Sequence, residues 1–106
     1  MSAPYSDSRL LIASGKVNTD GTKLSGVGQW TPARSGAGIY TITLPGGGVP
    51  EGEEELICTS NTAGGAVNMV STSATVKTVN GNTYAGPGTA VDTKFSFEIW
   101  QNIPGS

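Results

Sequence analysis

The chain has 106 residues, a net charge of −2 and no histidine, and only 13% of its residues are charged, against roughly 25% in ordinary soluble proteins. That balance offers neither a basic face for nucleic acid nor a polybasic patch for an anionic membrane, and the missing imidazole removes Ser-His-Asp triads, Cys-His pairs and most zinc sites. A surface of Ser, Thr, Asn and Gly in place of ions points to burial in an assembly or to an extracellular-type coat, and away from a free cytosolic enzyme.

Residues 1–8, "MSAPYSDS", read as a flexible arm, since Pro4 and the serines give it no reason to pack alone. Residues 9–106 fit one domain. No segment keeps a helical period; short alternating runs are cut by Gly, Pro, Asn and Asp about every ten residues, the spacing of strands and turns. Arg9–Val17, "RLLIASGKV", is the first predicted strand, and Asp20-Gly21 the turn after it. "GVGQWT" at 26–31 is the next, stopped by Pro32. "GIYTITL" at 38–44 is the clearest strand, followed by a loop, "PGGGVPEGEEE" (45–55), that is expected to project. Strands follow at 55–60, 66–71 and 74–79, with Asn80-Gly81 as a second turn signal. The last, "TKFSFEIWQ" (93–101), puts Phe95, Phe97 and Ile99 on a core face and Ser96, Glu98 and Trp100 on the other. The expected fold is all-β: a small antiparallel β-sandwich, jelly-roll-like, of about seven or eight strands.

Few residues invite chemistry. Asp20 and Asp92 have structural uses, in a turn and before a strand, and no carboxylate pair suited to glycoside hydrolysis stands out. Glu51, Glu53, Glu54 and Glu55 read as a solvated acidic loop rather than a calcium site, because neighbours on a strand face opposite ways. "SGVG" and "GAG" lack the helix and lysine of a phosphate cradle and read as bulges and turns. Cys58 is the sole cysteine, so no internal disulfide forms, and it reads as a small buried hydrophobe. Trp30 and Trp100 either stack on sugars or pack in the core or at a subunit interface; the interface is the expectation for Trp100, which lies opposite the core face. No metal, cofactor or catalytic residue is expected. No apolar run is long enough to span a bilayer, which needs about 20 residues. The N-terminal stretch has no basic segment of a secretory signal, which fits synthesis in a host cytoplasm.

The stretch "SGKVNTDGTKLSGVGQWTPARSGAGIYTITLP" (14–45) and the run "GTAVDTKFSF" (88–97) resemble a module of bacteriophage structural proteins and related bacterial surface sequences. That module carries a glycine-lysine-valine strand, an Asn/Asp-Gly turn, a flanked glycine with an aromatic and a "G-x-Y-T-I/V-T" strand. The two halves cover about residues 13 to 99. The resemblance implies a compact β-sandwich, often homotrimeric, in tail fibres, head fibres or capsid decorations, with no catalytic residues to carry over. The ending departs from the module: "EIWQNIPGS" replaces an apolar-glycine tail, so the contact around Trp100 is expected to be particular to this chain.

One module with a short arm, and no stalk, suits a separately made subunit docking on a shell. The expected function is therefore a capsid decoration (cement) protein of the virion, a homotrimer binding the major capsid protein and bridging capsomers. The alternative is a tail-fibre tip recognising a host surface glycan through Trp30, Tyr40, Tyr84 or Trp100. Candidate interface residues are Pro4 and Tyr5 on the arm, Glu53 and Glu54 on the acidic loop, Arg34 as a basic counterpart beside Lys16 and Lys23, and Trp30 and Trp100.

Overall fold

The computed structural model describes residues 9–50, 52–62, 64–83 and 89–102. Eight strands follow one another: β1 (Arg9–Val17), β2 (Lys23–Val27), β3 (Thr31–Gly36), β4 (Ile39–Thr43), β5 (Glu54–Ser60), β6 (Gly65–Ser71), β7 (Val76–Thr83) and β8 (Phe95–Asn102). They form two four-stranded antiparallel sheets, β2-β1-β8-β5 and β3-β4-β7-β6. The first and last strands pair at the centre of the first sheet. This is the small all-β sandwich that the alternation predicts.

Phe95, Phe97 and Ile99 are buried, as the parity of β8 requires, and they meet Tyr40, Ile42 and Val79 from the second sheet. Full burial of each such side chain contributes about 1.5–3 kcal/mol. Trp30 fills the gap at one end of the core, edge-on to Phe97 with centroids 4.7 Å apart. Its slot is made by two glycines paired across β1 and β2, Gly15 and Gly26. A Cβ on either would lie 2.2 or 2.6 Å from Trp30 Cζ2, so both positions require glycine for close approach.

Three local expectations are corrected. The predicted strand at 26–31 straddles a turn: β2 ends at Val27, Gly28 takes a φ of +94°, and β3 begins at Thr31. Pro32 does not stop a strand but lies within β3, at an edge of the second sheet, where alternate N–H groups face away from the ladder and a proline is tolerated. Asn80-Gly81 is not a turn, because β7 runs through it. Gly81 allows close backbone approach instead: its N–H donates to Gly38 O (2.7 Å), its carbonyl accepts from Val91 N (3.1 Å), and a Cβ would sit 2.6 Å from Thr93 Oγ1.

The loop after β4 does not project along its whole length. Val49 is buried and its N–H donates to Ala74 O at 2.9 Å, which folds the first half back onto the body.

The two outer faces differ in chemistry. Cross-strand partners share a face, so the first sheet presents Arg9, Lys16, Glu55 and Glu98 outward. In the second sheet the rows Ala33–Thr41–Thr78–Val70 and Ile39–Asn80–Asn68 cross strands and point outward.

Candidate functional site

The outer face of the first sheet is the candidate interface. Trp100 lies on β8, outward and half-buried, and its indole Nε1 donates to Glu98 Oε1 at 2.9 Å. The Arg9 guanidinium stacks over the ring, 4.6 Å from its centroid, while its Nη1 lies 3.0 Å from Glu55 Oε2. The ion pair is solvent-exposed and contributes under about 1 kcal/mol to stability. Its effect is positional: three side chains from β1, β5 and β8 hold one indole in place. Exposed Leu11, Ile57 and Val27 add apolar area around it. Beside this cluster is a shallow depression of about 290 Å³. Ser14, Ser25, Thr59 and Ser96 line it together with Lys16, Ile57 and Glu98.

The structure distributes the other predicted residues widely. Trp30 is not at the surface: it is 3% exposed, its Nε1 donates to Ser14 O at 3.0 Å, and Lys23 Nζ covers its ring at 4.3 Å. It belongs to the core because Gly15 and Gly26 make room for it. Glu54 is likewise no surface contact, since it turns inward to Lys77. Glu53 accepts from Gln101 Nε2 at 2.9 Å, and Glu55 turns outward to Arg9. The three described glutamates of the acidic run thus have three different partners. Arg34 is exposed at the rim of the second sheet and paired with Asp92. Tyr40, named for glycan contact, is fully buried. Pro4, Tyr5 and Tyr84 lie outside the described residues.

Asp92 is a structural hub, in keeping with its expected role. It accepts from Arg34 Nε at 2.9 Å and from the Gly38 N–H at 2.8 Å, and Tyr40 Oη lies 3.4 Å away. The Arg34 hydrogen bond, followed by that from Gly38, holds its carboxyl below the usual range. Tyr40 in turn donates to Thr19 O (2.8 Å) and accepts from Thr93 N (3.0 Å), so this hub ties β3, β4 and the approach to β8 together. Asp20, in its turn, is lowered by the hydroxyl and N–H of Thr22. Cys58 is half-buried and shares a face with Phe97; desolvation pushes its thiol up, away from reactivity.

The least expected group is Lys77, fully buried between the sheets. Its ammonium donates to Glu54 Oε2, to Ser73 O at 2.7 Å and to Ser71 Oγ at 3.2 Å, which accounts for all three hydrogens. The pair links β7 of one sheet to β5 of the other. A signal existed: Lys77 has the same parity as buried Val79 in an alternating run.

Among the described residues no cluster of three or more acidic, Cys or His side chains could hold a metal, and no helix is long and apolar enough to cross a membrane. The chain matches no family model, no curated protein and no solved structure.

Proposed function

We propose that the chain is a structural subunit of a bacteriophage virion, a decoration protein that binds the capsid shell as a homotrimer and bridges neighbouring capsomers. The observation that carries the docking surface is the Arg9–Trp100–Glu98 cluster with its exposed aliphatic surround. A positioned Trp and Arg, with apolar area beside them, are the residue types that dominate binding energy at protein interfaces. The sequence resemblance over residues 14–45 and 88–97 supports the virion setting. The chemistry required is adhesion: each docked trimer adds buried interface across a capsomer joint and so raises the force needed to open it. The test is co-sedimentation of purified protein with expanded empty capsids of the encoding phage. Saturable binding that Trp100→Ala weakens supports the reading; no binding by the unaltered protein refutes it.

A second reading has its own observation. The hydroxyl-lined depression offers a carboxylate, an ammonium and several donor-acceptor groups, which suit a sugar ring, and Trp100 lies outside its lining but is hydrogen-bonded to the lining residue Glu98. A tail-fibre tip binding a host glycan would use it so. Glycan-array binding lost in Trp100→Ala, with no capsid binding, would favour this alternative.

A further inference from the structure

Asn80-Gly81 is the chain's single Asn-Gly pair, and it lies inside a strand rather than in a turn. An asparagine before glycine is the dipeptide most open to spontaneous deamidation, because glycine has no Cβ to shield its amide nitrogen or restrict its backbone. The packing requires this glycine: a Cβ on it would lie 2.6 Å from Thr93 Oγ1 and 2.8 Å from Val91 O. The asparagine is under no such demand. It points outward between Ile39 and Asn68 and is only partly buried.

Two features of the fold hold the pair inert. Asn80 is paired on both sides, with Ile39 of β4 and Asn68 of β6, so its backbone is extended. At a strand ψ of about +135°, Gly81 N stands roughly a quarter turn from the Asn80 Cβ about the Cα–C bond, whereas ring closure needs the two eclipsed. Gly81 is also buried, and its N–H donates to Gly38 O at 2.7 Å. Hydroxide therefore has no access to the proton whose loss makes that nitrogen a nucleophile.

We propose that Asn80 is a latent deamidation site, gated by separation of β7 from β4, and that its reaction is a one-way exit from the fold. In the open chain hydroxide deprotonates Gly81 N, which attacks Asn80 Cγ. The Cγ–Nδ2 bond breaks, ammonia leaves with a proton from water, and a succinimide closes. Water then opens the ring. Cleavage of the Cγ–N bond gives aspartate at position 80, and cleavage at the backbone carbonyl carbon gives isoaspartate. The balance is one water consumed and one ammonia released. Aspartate keeps the register of β7 and adds a carboxylate to the outer face. Isoaspartate inserts one carbon into the main chain, so Gly81 to Thr83 lose their register with Gly65 to Val67. A chain that has reacted this way no longer fits its own sandwich, and the lifetime of the fold becomes a rate rather than an equilibrium.

The test ages the full chain at one mildly alkaline pH and temperature across a guanidinium chloride series. Site-resolved peptide mass mapping reads position 80 and keeps it apart from the Asp20-Gly21 turn. Openings of core strands approach global unfolding, whose equilibrium constant favours the fold by about 10³–10⁸, so the folded chain should react at least about a hundredfold more slowly than the unfolded one. Between those limits the rate should rise in parallel with the unfolded fraction read from Trp30 fluorescence. Asn80→Thr should fold with a midpoint close to that of the unaltered protein and show no change at this position on ageing. A folded chain that reacts less than about a hundredfold more slowly than the unfolded one, or a rate that does not follow the unfolded fraction, overturns the gate. Refolding the aged chains tests the exit: isoaspartate should collect in the fraction that fails to refold, and aspartate in the fraction that succeeds. Isoaspartate chains that regain the original midpoint overturn it.

Discussion

Removing the carboxylate of Glu54 while keeping its shape isolates the energetic consequence of the buried Lys77 pair. In Glu54→Gln the ammonium keeps Ser73 O and Ser71 Oγ but loses its counter-charge in a site with no solvent contact. Breaking a buried pair by removing one partner costs about 3–5 kcal/mol, and the retained amide oxygen places this variant near the lower end, about 3 kcal/mol. A domain of this size has about 5–15 kcal/mol in all, and each kcal/mol shifts Tm by roughly 4–8 °C, so a fall of about 12–24 °C is expected. Urea unfolding followed by the fluorescence of buried Trp30, at one fixed protein concentration, measures the loss. Glu55→Gln is the internal control: its partner Arg9 is exposed, and the loss should stay below about 1 kcal/mol. Replacing both members, Lys77→Met with Glu54→Leu, should restore stability to near or above the starting value, because no charge is then left to desolvate. If Glu54→Gln proves no more damaging than Glu55→Gln, the pair does not govern the core and the reasoning is refuted.

Other outcomes follow from the same contacts. Gly26→Ala should cost about 1–3 kcal/mol by overpacking against Trp30 Cζ2, and Trp30→Phe should show non-additive coupling with it in a double-mutant cycle; simple additivity would contradict the slot. Asp92 has a lowered carboxyl, so the folded state binds fewer protons than the unfolded one at acid pH. Its contribution is fully present above the ordinary carboxylate range and is lost as pH falls through the folded value, so Asp92→Asn should flatten the acid side of a stability-versus-pH curve measured by thermal melts. Under the proposed docking, Trp100→Ala should leave the urea midpoint close to unchanged while reducing capsid binding at least tenfold, the behaviour of an interface anchor; a large stability loss with unchanged binding would place its role within the fold. Cys58, its thiol raised by desolvation, should react with iodoacetamide more slowly than free cysteine at pH 8, and a faster rate would contradict its inward placement.

The residues themselves determined the class of fold and much of its inner and outer surface. Phe95, Phe97 and Ile99 had to share a face opposite Ser96, Glu98 and Trp100, because side chains alternate along any strand, and Asp20-Gly21 had to turn, because both tolerate the backbone required. These are local properties. What β7 does at Asn80-Gly81, whether Pro32 ends a strand, and which tryptophan is buried were decided by tertiary neighbours: Val91 and Thr93 beside Gly81, the edge position of β3, and the pairing of Gly15 with Gly26 opposite Trp30. The Lys77–Glu54 pair shows the division most sharply. Alternation could place the lysine on the inner face of its strand, but only the packing of one sheet against the other could bring it a carboxylate, and the attraction becomes strong only where water is largely excluded from the pair.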